Sequence, residues 1–89
     1  MEYKERAEGH PDIKEALTER FEEEIEDAEE YYELAEAHPS TAYAYYVLAR
    51  EELSHANFFR SELHDRGFHL PEELEKKWHH VLKLLGFEK

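Results

Sequence analysis

The segment REELSHANFF sets a carboxylate and an imidazole three residues apart, at Glu52 and His55. On a helix this spacing brings two side chains to the same side, so both could bind one cation. Carboxylate and imidazole together suit iron, manganese or zinc. The two residues also interrupt a stripe that is otherwise apolar and follows helical spacing: Tyr45, Leu48, Glu52, His55 and Phe59. A carboxylate on such a stripe is expected to be paired, protonated or bound to a metal.

Prolines and glycines divide the chain into three helical segments and indicate an all-α fold. Two long helices are predicted at about residues 12–36 and 42–66, separated by the sequence HPST. A short third helix is predicted at 71–85, because Gly67 suits a helix end and Pro71 suits a helix start. The four-residue connection makes the two long helices an antiparallel hairpin.

The first helix carries an apolar stripe with alternating spacings of three and four: Leu17, Phe21, Ile25, Ala28, Tyr32 and Ala35. A hairpin leaves part of both stripes facing water, and the short third helix can cover only some of that surface. We therefore expect the 89 residues to form one domain that associates with itself. A homodimer, or a higher even oligomer, would assemble two hairpins into a four-helix bundle.

A metal site in the hairpin also requires a ligand from the first helix. Counted from the middle of the turn, Glu24 lies as far before it as His55 lies after it, so the two should be level. Glu24 sits on the flank of the apolar stripe, and Tyr31 follows it by seven residues on the same flank. Glu24 is therefore the first choice for this ligand, and Glu22 is the second.

Composition excludes several classes of function. The chain has 23 acidic and 11 basic residues and a net charge of -12, which disfavours binding to nucleic acid. It has no cysteine, so disulfides, thiolate metal sites and cysteine nucleophiles are excluded. No apolar run approaches the roughly 18 residues of a membrane span, and the polar start does not read as a targeting signal. A cytoplasmic protein is the expectation.

A glutamate on one helix and a Glu-x-x-His on the next resembles the half-site of ferritin-like di-iron carboxylate proteins. FEEEIEDAEEYYELA and AYYVLAREELSHANFF are similar to the ligand helices of rubrerythrins, with Glu24 and Tyr31 at the spacing of a ligand glutamate and a later tyrosine. A single short hairpin resembles the encapsulated ferritins, which complete their iron site on dimerising. Aligned from the loop proline, that family's first ligand falls on Glu22.

The resemblance implies a ferritin-like four-helix bundle that binds about two iron ions per dimer. Each chain would contribute Glu24 or Glu22, Glu52 and His55, with Tyr31 beside the ligands. The implied function is oxidation of Fe(II), as a ferroxidase, for iron storage or protection against oxidative stress. Encapsulated ferritins have a protein shell as partner, but this sequence shows no segment similar to their cargo peptide.

Two other interpretations use the same residues. In the first, Glu52 is salt-bridged, His55 is hydrogen-bonded to a tyrosine, and the chain is a helical dimerisation or interaction module without metal dependence. In the second, zinc or manganese holds a dimer together without redox chemistry. The sequence alone leaves both open.

Overall fold

A computed structural model describes residues 12–89 and contains three α-helices: α1 (Ile13–Ala37), α2 (Ala42–Asp65) and α3 (Glu72–Leu84). One turn of 3₁₀-helix, Pro39–Thr41, joins α1 to α2. The described residues contain no strand, so the predicted all-α class is confirmed. Each helix begins and ends within one residue of its predicted bounds.

The helix ends follow the predicted breakers. α1 stops before Pro39, whose ring disfavours a helical conformation at the preceding residue, and His38 has φ -130° and ψ 76°. After α2, Gly67 adopts φ 81°, a left-handed conformation that glycine reaches without a Cβ penalty. The backbone N–H of Phe68 then donates to the carbonyl of Leu63 at 2.9 Å, which closes the end of α2.

Contacts between α1 and α2 show that the hairpin is antiparallel. Tyr31 stacks with Tyr45 near the turn, and farther from the turn Arg20 of α1 lies 5.4 Å from the ring centroid of Phe59 of α2. The buried residues along this contact include large side chains and alanines from both helices: Phe21, Ile25, Ala28, Ala49, Leu53 and Ala56. The alanines allow the two backbones to approach closely.

α3 packs across one face of the hairpin through Leu74, Trp78 and Val81, all buried. The ring of Trp78 lies 5.7 Å from that of Phe21, centroid to centroid. On the same face, the Lys77 ammonium lies near acidic side chains of α1, 3.7 Å from Glu22 and 3.6 Å from Glu26. Because Glu24 is about 200° around α1 from each of these two glutamates, it lies on the face that α3 leaves open.

The predicted packing stripe of α2 is wrong by one residue. Its buried residues are Ala49, Leu53, Ala56 and Leu63. The predicted stripe is therefore displaced by about 100° from the surface that packs on α1, and its Leu48 is 37% exposed. The prediction followed the larger apolar side chains, whereas two of the four buried residues of α2 are alanines. The predicted stripe instead forms part of the open face, which we define as the side of the hairpin opposite α3.

Within the described residues, no helix is long and apolar enough to cross a membrane. The described chain is one copy, so assembly into a four-helix bundle stays a prediction.

Trp78 should be the main anchor of α3, because it is 6% exposed and contacts Phe21 in the core. We expect Trp78→Ala to lower the free energy of unfolding by about 3–5 kcal/mol, the usual cost of removing a buried aromatic side chain. Urea unfolding followed by circular dichroism would measure this. Tyr43→Ala is the control, since Tyr43 is 82% exposed and should change stability by less than about 0.5 kcal/mol. Equal effects of the two substitutions would contradict the assignment.

Candidate metal centre

Glu24 of α1 meets Glu52 and His55 of α2 at the middle of the hairpin. Each residue offers one ligand atom, and these atoms lie within 4.8 Å of one another. The Nδ1 atom of His55 lies 2.9 Å from a carboxylate oxygen of Glu52 and 3.2 Å from one of Glu24. We call these three residues the carboxylate–imidazole group.

Two geometric features create this group. Glu52 and His55 are three residues apart on α2, so they share one side of that helix. The antiparallel packing of α1 then brings Glu24 level with His55. Both helices continue for several turns on either side, so the group rests on rigid secondary structure and not on a loop.

Exposure within the group increases from the carboxylates to the imidazole. The side chains of Glu24 and Glu52 are 12% and 21% exposed, and that of His55 is 59% exposed. The carboxylates are therefore largely withdrawn from water, and the imidazole lies on the solvent side. A cation could reach the group from the open face without passing through the core.

The surroundings of Glu24 disfavour the ionised form of its carboxyl group. Burial raises the pKa of the Glu24 carboxyl above its usual value, and the neighbouring Glu52 carboxylate raises it further. His55 and Arg20 act in the opposite direction without cancelling the rise in pKa. Two crowded, largely buried carboxylates would be stabilised by an additional positive charge.

His55 cannot satisfy both carboxylates at once. Its Nδ1 atom faces both carboxylates, but one N–H can donate a full hydrogen bond to only one of them. A divalent cation could bind one oxygen of each carboxylate and a nitrogen of the imidazole. Two oxygens and one nitrogen fit iron, manganese or zinc.

The structure separates the two predicted ligands of the first helix. Glu24 belongs to the carboxylate–imidazole group, and Glu22 lies on the α3 side with its carboxylate 3.7 Å from Lys77. Tyr31 does lie on the open face beyond Glu24, where its ring centroid is 6.4 Å from that of Tyr45. Within residues 12–89, no hydrogen bond, ion pair or ring contact joins Tyr31 to the carboxylate–imidazole group.

Sequence reasoning missed Arg20, which modifies the group without belonging to it. Its positive charge lowers the pKa of Glu24, one helical turn away. The guanidinium lies 5.4 Å from the ring centroid of Phe59 and 4.0 Å from Glu23. The sequence does indicate this interaction, because Arg20 and Glu24 are four residues apart on a helix and therefore lie on the same side of it.

We expect Glu24→Gln to raise the melting temperature of the metal-free protein at pH 7. Since the folded-state pKa is raised, ionised Glu24 opposes folding above that pKa, and the cost disappears as pH falls towards the usual value of 4.5. The difference from wild type should therefore shrink on acidification. Calorimetry with a chelator present would measure it. Glu30→Gln, on the exposed outer side of α1, is the matched control. A gain that grows at low pH would disprove the assignment.

Comparison of the chain with protein-family models, with curated proteins and with solved structures finds no match. The ferritin-like resemblance therefore depends on the ligand pattern itself and stays a prediction.

Proposed function

We propose that this chain is a ferritin-like iron-binding protein whose di-iron site forms when two copies pair through the open face. The observation that carries the proposal is the carboxylate–imidazole group: three metal-ligand side chains within 4.8 Å, at the centre of a face with apolar neighbours. The donor types suit iron. Burial and the neighbouring Glu52 carboxylate raise the pKa of Glu24, and both effects favour a bound cation.

The open face has the character of an interface that a second copy could cover. Leu48 is 37% exposed there, and Tyr45 and Phe59 are partly exposed on either side of Glu52 and His55. Apolar side chains around a polar centre are what a buried bundle core requires when the centre binds metal. A two-fold axis through the face would bring two carboxylate–imidazole groups together, so that each copy contributes the same ligands.

The side chains have distinct roles in the proposed reaction. Glu24 and Glu52 would bind Fe(II) through oxygen, and their burial limits access of water. His55 would bind through nitrogen on the accessible side. Iron is the substrate: two Fe(II) ions each lose one electron, and O2 or peroxide accepts the pair. Carboxylate oxygens favour the harder Fe(III) product. The net charge of -12 would concentrate Fe(II) near the protein. We place this activity in the cytoplasm.

The metal-free interaction module is the second candidate, and one observation favours it. His55 already contacts both carboxylates, so the group is partly compensated without a metal. On that interpretation the open face still mediates dimerisation, and loss of Glu52 leaves the assembly intact. A zinc or manganese dimer without redox chemistry remains the third candidate, because it uses the same ligands.

Anaerobic titration with Fe(II), followed by admission of air, separates these candidates. We expect saturation at about one iron per chain and rapid oxidation, measured by ultraviolet absorbance, with a dimer in sedimentation velocity. Glu52→Ala should lose both the binding of iron and its rapid oxidation. Glu51→Ala is the matched control, because Glu51 is exposed and points about 100° away.

Each candidate function predicts a different outcome of this titration. No iron binding by a protein that still dimerises would favour the interaction module. Tight binding of zinc or manganese, with no oxidation of bound Fe(II) in air, would favour the structural metal dimer. Equal iron binding by wild type and Glu52→Ala would disprove the site. Glu24→Ala should abolish binding and Glu22→Ala should not, since Glu22 lies against Lys77.

Bound metal should stabilise the folded protein by mass action. At Fe(II) concentrations 100 times the dissociation constant, we expect a gain of about 2.7 kcal/mol, measured anaerobically by thermal denaturation. His55→Ala should lose this gain and keep its helical content, whereas His64→Ala, at an exposed position later in α2, should keep both. Acidification towards pH ~5 should release the metal, because protons compete for the imidazole. A gain that persists in His55→Ala would contradict the proposed ligand set.

A further inference from the structure

A pocket lies between α2 and α3, on the other side of the hairpin from the carboxylate–imidazole group. Its volume is about 300 Å³. Four of its lining residues are apolar: Leu53 and Trp78 are almost fully buried, Leu82 is partly exposed, and Phe87 is exposed. The pocket thus has an apolar base, and it reaches the lower end of the size range of small-molecule sites.

The polar residues of the pocket all come from one side of α2. Arg50, Ser54 and Asn57 are separated by four and then three residues, so they lie in a row along the helix. The guanidinium of Arg50 lies 5.3 Å from the ring centroid of Phe87. The pocket therefore combines an apolar base with one positive charge and two neutral hydrogen-bonding side chains.

Arg50 differs from Arg60, the other arginine of α2, and from Arg66, which directly follows that helix. Arg60 forms an ion pair with Glu75 at 3.0 Å, and Arg66 forms one with Glu62 at 3.6 Å. Within residues 12–89, no ion pair of 4.0 Å or less includes Arg50. An arginine without a carboxylate partner is notable in a chain with 23 acidic residues. Its planar fork of donors matches the two oxygens of a carboxylate.

We propose that this pocket binds a small amphipathic carboxylate with an aliphatic chain. The chain would occupy the apolar base against Trp78 and Leu82, and the carboxylate would bind Arg50, with Ser54 and Asn57 as further donors. Because no other charged residue lines the pocket, Arg50 sets the sign of the ligand against the negative field of the whole protein. The volume restricts the ligand to a short chain. This site is independent of iron binding.

Trp78 is the only tryptophan of the chain, so its fluorescence reports on the pocket. We would titrate the full chain with hexanoate, with hexan-1-ol as the uncharged probe and acetate as the probe without an apolar chain. We expect a saturable change in emission with hexanoate, with a dissociation constant of about 1 mM for so small a ligand. Hexan-1-ol should bind about tenfold more weakly, and acetate should have no effect.

Three variants test the assignment of Arg50 and of the pocket. Arg50→Gln should weaken hexanoate about tenfold and leave hexan-1-ol unchanged, which also shows that the pocket persists. Ser54→Phe should fill the pocket from its exposed rim and abolish binding of both probes. Arg66→Gln, which changes an arginine just after α2 and outside the pocket, should bind like wild type.

Three results would overturn the proposal: no saturable change in emission, equal binding of hexanoate and hexan-1-ol, or equal binding of hexanoate by wild type and Arg50→Gln. Iron titration of Ser54→Phe keeps the two proposals distinct. We expect it to match wild type, since the pocket and the carboxylate–imidazole group share no residue.

Discussion

The close contact between α1 and α2 determines where every functional side chain lies. Ala28, Ala49 and Ala56 are fully buried along it, and small residues at a helix contact allow the axes to approach closely. That contact sets both the register and the rotation of the two helices. A rotation of either helix by one residue would move Glu24 or His55 about 100° out of the carboxylate–imidazole group. The site therefore depends on alanines that contact no ligand.

α3 gives the two faces of the hairpin different character. It buries Trp78 against Phe21, and its Lys77 and His80 lie 3.4–3.7 Å from glutamates of α1 on that face. The acidic run of α1 is thereby divided. On the α3 side, the Lys77 ammonium lies near Glu22 and Glu26, whereas Glu24, on the open face, shares one imidazole with Glu52.

The carboxylate–imidazole group brings two carboxylates with little exposure to water together with a single imidazole. Burial and Glu52 both raise the pKa of Glu24, so at neutral pH its ionised form opposes folding. Sites that violate the usual rules of stability are often functional, because the missing compensation comes from a ligand. Arg60 shows the contrasting arrangement: its guanidinium donates to both oxygens of Glu75 and lies 5.5 Å from the ring centroid of Trp78, which holds α3 on the hairpin.

Local sequence determined the helices and the pair Glu52 and His55. Pro39 and Gly67 mark helix ends through backbone constraints that need no tertiary contact, and the i, i+3 spacing holds on any helix. Counting from the turn also placed Glu24 level with His55. The rotation of α2 escaped sequence reasoning, because hydrophobicity favoured Leu48 and the contact selected Ala49.

Tertiary structure decided which partner each of several chemically equivalent residues contacts. Glu22 and Glu24 have the same chemistry, and only the packing of α3 and α2 on α1 brings one to Lys77 and the other to His55. Likewise, nothing in the sequence pattern distinguishes Arg50 from Arg60. In the structure, Arg60 has a carboxylate partner on α3, whereas Arg50 lines an apolar pocket against α3. The physical reason is that spacing along a helix fixes direction only relative to that helix. The neighbours that each direction meets depend on how the helices pack.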